Sequence, residues 1–180
     1  MPKFNDIPKF PRAHYEVDIE WRSLERTLQD SALTEGLDLD PDFQRAHVWT
    51  REQQTAYIEY QLRGGEVGKN LTFNHPGWDN HEKKYQKGPY VIVDGKQRME
   101  AVRAFLRDEV PVFGYRYSEF TDSLRLIHAS FKWRVCSLKT RAEVLQLYLS
   151  INAGGTPHTA EEIARVRELL TKETSDAARK

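Results

Sequence analysis

The residues with the clearest chemical content are Asp94-Gly95-Lys96-Gln97-Arg98, which follow the short β-branched run Tyr90-Val91-Ile92-Val93. The order describes a buried strand that ends on an acid, turns on a glycine and opens a helix with Lys, Gln and Arg. A helix N-terminus carries positive partial charge and normally favours acids. Two cations there make sense if an anion binds at that end. First-turn N–H groups, a glycine that permits close approach and a planar guanidinium fork together make a phosphate cradle. Asp94, at the carboxyl end of the strand, is placed to hold a metal such as Mg²⁺ or to orient water. A tight strand-to-helix turn with solvated charges accounts for the same residues without any ligand.

Two further stretches could add walls to such a site. Asp42-Phe43-Gln44-Arg45-Ala46-His47-Val48-Trp49 follows a strand-breaking Pro41 and precedes a helical pattern. Gln44 and Arg45 would supply directional donors, and Trp49 or His47 a surface on which a base can stack. In the plainer reading Phe43, Val48 and Trp49 are core and the polar residues are loop solvation. In Ile151-Asn152-Ala153-Gly154-Gly155-Thr156 a helix ends at an amide and two glycines release the chain. Asn152 and Thr156 could point polar groups into the same site; a plain helix–helix connection accounts for the stretch as well.

The elements that must position these residues follow from periodicity. Thr50-Arg-Glu-Gln53, Thr140-Arg-Ala-Glu143 and Thr159-Ala-Glu-Glu162 share the capping-box pattern, and each precedes apolar residues spaced by three or four. They predict three helices, the first ending at Gly64-Gly65. A fourth follows Gly95, with Met99, Val102, Phe105 and Leu106 on one face. Strands are expected at Tyr15–Ile19, Leu37–Leu39, Leu71–Asn74, Tyr90–Val93, Val112–Tyr117 and Lys132–Leu138. The class is therefore α/β (α+β), with a small mixed sheet and about five helices. Residues 1–13 read as an arm, 14–170 as one domain, 171–180 as a flexible tail and Pro76–Pro89 as an exposed loop.

Composition excludes several alternatives. The chain has 27 Lys+Arg and 27 Asp+Glu, so any cationic site must be local rather than global. No apolar run reaches the roughly 18 residues of a membrane helix, and the N-terminus has no apolar leader segment. Cys136 is the only cysteine, which excludes intramolecular disulfides and cysteine-clustered zinc, and a cytoplasmic setting is expected. It sits in an alternating stretch as a buried strand residue. The six histidines show no metal-ligand spacing, and neither a P-loop motif nor a GxSxG elbow is present. Basic residues next to aromatics at Arg116-Tyr117 and Phe131-Lys132-Trp133-Arg134 could line a nucleic-acid groove, and alternating strand faces explain them equally well.

Taken in chain order, Asp42–Arg45 with Val48–Thr50, Gln53 and Gln54, then Val93–Arg98, then Ile151–Thr159, resemble a known family. It is the DGQQR-motif N-terminal domain of GmrSD-type modification-dependent restriction systems, in the ParB/sulfiredoxin-like superfamily. The resemblance spans roughly residues 15 to 167. It implies a strand–turn–helix phosphate site and a Mg²⁺-dependent NTP hydrolase or nuclease that acts on nucleic acid, DNA in the first instance, in phage defence. Carried over by position, Asp94, Gln97, Arg98, Gln44 and Arg45 are the implied catalytic residues. Gly95, Lys96, Arg98, Arg45, Asn152, Gly154, Gly155 and Thr156 are the implied phosphate- or nucleotide-binding residues, and Asp94 the metal ligand. Lys96 departs from the family pattern, which usually has Gln there. Restriction members continue into an HNH-type nuclease, and no such constellation occurs in these residues. A separate nuclease or effector subunit, an oligomer, and a non-catalytic binding module using the same cradle are therefore also expected readings.

Overall fold

The computed structural model describes residues 3, 4, 7, 11–46, 48–78, 90–152 and 160–177. The expectations placed on His47, residues 79–89, Gly154, Gly155, Thr156 and the Thr159 cap lie outside the described residues. The fold is mixed α+β. Five strands, β1 (Tyr15–Glu20), β2 (Leu37–Asp38), β3 (Asn70–Asn74), β4 (Tyr90–Asp94) and β5 (Ser130–Cys136), form one sheet in the order β1-β5-β3-β4-β2. β1 with β5 and β3 with β4 are antiparallel, while β5 with β3 and β4 with β2 are parallel. The helices are α1 (Leu24–Glu35), α2 (Arg51–Leu62), α3 (Lys96–Leu106), α4 (Arg141–Asn152) and α5 (Ala160–Ala177).

Alternation along β4 builds two cores. Tyr90 and Ile92 join Leu24 and Leu28 of α1, Ile58 of α2, and Met99, Val102 and Phe105 of α3. Val91 and Val93 join Phe43, Val144, Leu145, Leu147 and Tyr148 of α4, and Val166 of α5. A strand covered on both faces reads as a continuous apolar run, as this one does. The larger core is knit by Phe73 stacked on Trp133 at 3.9 Å, whose indole N–H donates to the Tyr90 hydroxyl at 2.8 Å.

Two capping boxes form as the sequence implies. Thr50 N–H donates to Gln53 Oε1 (2.9 Å), and Gln53 N–H to Thr50 Oγ1 (3.3 Å). Thr140 N–H donates to Glu143 Oε2 (2.9 Å), and Glu143 N–H returns to Thr140 Oγ1 (3.2 Å). These bonds hold the Glu143 carboxyl below its usual pKa, chiefly through the Thr140 amide. Cys136 is buried at the end of β5, and burial pushes its thiol pKa up.

Three expectations are corrected. Val112–Tyr117 is not a strand: Val112 and Tyr115 form a single bridge around a tight turn, and a 3-10 turn starts at Tyr117. Helix α1 has no counterpart in the expected elements, because only Leu24 and Leu28 of its twelve residues are buried, too thin an apolar stripe to read. Helix α5 continues to Ala177, beyond the boundary read at 170.

Candidate functional site

The strand-to-helix turn after β4 is built around Gly95. It caps α3 with φ 99°, a left-handed conformation, and no side chain caps the helix. A β-carbon at Gly95 would lie 2.5 Å from Leu71 Cδ2 and 3.0 Å from the Asn70 carbonyl oxygen. Glycine is thus required twice, by conformation and by the close approach of β3. The turn opens onto a pocket of about 180 Å³. Its walls include Gln44, Arg45 and Trp49 from the loop after β2, Asp94–Arg98, and Tyr148 and Asn152 from α4. Every described residue among the sequence-predicted site residues lines this one pocket.

The charges within it are paired. Arg98 Nη2 donates to Asp94 Oδ2 at 2.6 Å and to the Asn70 carbonyl at 2.9 Å. The buried Arg98 Nε–H has no acceptor among the described residues. Lys96 is buried, and its ammonium pairs with the exposed Asp40. Arg45 Nη1 stands 3.9 Å from Glu162 Oε2 of α5. Helix α5 also reaches the loop through Arg165 Nη2, which donates to the Gln44 carbonyl at 3.1 Å. Asp40 and Asp94 therefore balance the two cations that oppose the α3 dipole. Of the three cations, Arg45 has the longest ion-pair separation.

The two glutamines hold the backbone around the site. Gln44 Nε2 donates to the carbonyls of Ile92 (3.1 Å) and Val93 (2.9 Å), tying the loop to the end of β4. Gln97 Oε1 accepts from the N–H groups of Val48 (2.9 Å) and Trp49 (3.3 Å), while its Nε2 donates to Ala46 O (3.0 Å). Gln97→Ala is expected to cost about 2–4 kcal/mol, since it strands partly buried backbone donors. The check is amide hydrogen exchange: Val48 and Trp49 should lose protection in the variant while β3 and β5 amides keep theirs.

Tyr148 and Asn152 come from one face of α4, one turn apart. Asn152 Nδ2 donates back to the Tyr148 carbonyl at 2.8 Å. Burial raises the pKa of the Tyr148 hydroxyl, with Arg45 acting in the opposite direction. Tyr148 was not among the expected site residues; its (i, i+4) relation to Asn152 was the available signal. No group of three or more His, Cys, Asp or Glu able to hold a metal occurs among the described residues. Among them, too, no helix is long and apolar enough to cross a membrane.

A family model described as the GmrSD restriction endonuclease, N-terminal domain, matches residues 25–134. That span contains Gln44, Arg45 and the whole Asp94–Arg98 turn, and ends before Asn152. No curated protein and no solved structure matches the chain.

Proposed function

The chain belongs to the GmrSD restriction endonuclease N-terminal domain family, which gives it a restriction-type, nucleic-acid-related role, and from that premise we propose that its pocket binds and hydrolyses a nucleoside triphosphate. The observation that carries this reading is the convergence of three separate sequence segments on one small polar pocket at the start of α3. At about 180 Å³ it is smaller than the roughly 300 Å³ of a complete small-molecule site. It takes the phosphates and leaves the nucleoside at its mouth.

Arg45 and Arg98 hold the phosphate oxygens, and the first-turn N–H groups of α3 face the same charge. Asp94 orients the attacking water. Gln44 and Gln97 are positioning residues, because their amides already hold the loop and the end of β4. Lys96 fixes the turn to Asp40, and Asn152 closes the edge of the pocket, with Gly154, Gly155 and Thr156 following it in the chain. Mg²⁺ fits as a group that arrives on the triphosphate, with Asp94 as its one protein carboxylate. When bound, it would neutralise charge on the phosphate oxygens. The ParB/sulfiredoxin-like relationship, DNA as the ultimate target, and a separate nuclease or effector subunit belong to the same proposal.

A phosphate clamp without hydrolysis is the second reading, favoured by the commitment of Asp94 to Arg98 at 2.6 Å. Phosphate release from ATP, GTP and CTP with Mg²⁺ separates the two. Hydrolysis predicts turnover by the wild type and a loss of about 100-fold or more in Asp94→Asn, with binding retained. Turnover that survives the substitution removes Asp94 from the reaction, and binding without turnover by the wild type establishes the clamp.

A further inference from the structure

Of the two basic–aromatic stretches that suggested a nucleic-acid groove, the one in β5 is structural. Phe131 and Trp133 are buried, and Lys132 and Arg134 both pair with Glu16. The other lies beyond the C-terminal end of α3, where the expected strand proved to be a turn. Val112 N–H donates to Tyr115 O (2.8 Å), and Tyr115 N–H to Val112 O (2.9 Å). The two residues between them, Phe113 (φ 51°) and Gly114 (φ 83°), are both left-handed. This is the type I′ arrangement, whose usual pair is Asn-Gly. A bulky aromatic in that conformation is an outlier, and strain of this kind persists where surrounding contacts enforce it and function uses it.

Those contacts are present. Phe113 N–H donates to Glu59 Oε1 at 2.7 Å, and Thr55 Oγ1 donates to Pro111 O at 3.0 Å. Burial does not offset the strain, because Phe113 stays 39% exposed and Tyr115 57% exposed. The Arg63 guanidinium lies 5.0 Å above the Phe113 ring. Arg51 reaches the Glu109 carbonyl at 2.9 Å, and Arg116 follows Tyr115 directly. None of Arg51, Arg63 and Arg116 is in an ion pair among the described residues. The nearby acids have closer partners elsewhere, Glu59 on Phe113 N–H, Glu119 on Arg116 N–H, Asp108 on Ser118 N–H and Glu109 with Arg107, while Arg116 and Arg51 act on Asp108 and Glu109 only through space.

We propose that the Val112–Arg116 turn is a nucleic-acid contact, with an unpaired base stacking on Phe113 and backbone phosphates on Arg51, Arg63 and Arg116. Exposed rings beside guanidiniums that form no close ion pair are the chemistry of single-strand binding, in which stacking tolerates any base and cations track the backbone. The turn and the phosphate pocket lie at opposite ends of α3, about 16 Å of helix apart. The proposal does not rest on nucleotide binding in the pocket, and the two fail separately.

The test is fluorescence anisotropy of a labelled single-stranded DNA oligonucleotide with the full chain, across a salt series. Phe113→Asn suits the left-handed position, so its melting temperature should equal or exceed that of the wild type. Its DNA affinity should nonetheless fall roughly 5- to 100-fold, with Tyr115→Ser weakening binding in the same direction. Arg63→Ala should flatten the salt dependence by about one phosphate contact. A wild type that does not bind, or a Phe113→Asn protein that binds as tightly as the wild type, overturns the proposal and leaves this surface to a protein partner.

Discussion

Replacing Arg98 with alanine is expected to abolish most of the thermal stabilisation that a nucleoside triphosphate confers on the folded protein. The guanidinium joins β3, β4 and α3, through the Asn70 carbonyl and the Asp94 carboxylate. In the proposed complex it also supplies charge-assisted bonds to phosphate. Losing those bonds costs about 2–3 kcal/mol, roughly a 30- to 150-fold loss of affinity. At a ligand concentration 100 times the wild-type Kd, stabilisation would drop from about 2.7 to about 0.4 kcal/mol for a 100-fold weakening. Alanine also leaves Asp94 without its cation, so the ligand-free melting temperature should fall as well. Arg98→Lys separates the effects: it keeps a charge near Asp94 but loses the two-pronged fork that matches phosphate. It should recover much of the ligand-free stability and little of the ligand-induced shift. An undiminished shift in both variants would remove Arg98 from the site.

An effect on the fold as large as that of Gln97→Ala is expected from Gly95→Ala. The new β-carbon would meet Leu71 Cδ2 at 2.5 Å, in a side chain with no exposure, and the Asn70 carbonyl oxygen at 3.0 Å. It would also sit on a residue with φ 99°. Crowding and conformation together predict a loss of about 2–4 kcal/mol, a fall of about 5–15 °C in Tm. Gly36→Ala is the control: that glycine is left-handed too, at φ 69°, but a β-carbon there meets nothing within 4 Å. It should show only the conformational part, about 1 kcal/mol. Equal losses at the two positions would mean that close approach of β3 plays no part at Gly95.

Much of the site was legible because its parts are local in sequence. A β-branched run, an acid, a glycine and a cationic first turn specify the β4–α3 corner whatever packs around it. The segments at Gln44-Arg45 and Asn152 were legible by residue type, and the fold brings both to that corner. What could not be read was pairing across long separations. Lys96 finds Asp40 and Arg45 finds Glu162, so residues that suggested open cations carry internal counter-ions. The amides of Gln44 and Gln97 suggested chemistry, yet they hold backbone that lies some fifty residues away. Phe113 misled for a different reason. Alternation through Val112-Phe113-Gly114-Tyr115 resembles a strand, and a phenylalanine hides a turn that an asparagine would have announced. Helix α1 was missed because it buries two leucines against an otherwise polar sequence.

The phosphate-pocket assignment is tested most directly by the melting temperature of the wild-type chain, measured with ATP, GTP and CTP, each with and without Mg²⁺. Short DNA run in parallel reports on the separate turn at Phe113. The assignment predicts that at least one triphosphate raises the melting temperature, and that Arg98→Lys loses most of that rise. A wild-type protein whose melting temperature no triphosphate moves, with or without Mg²⁺, would contradict it.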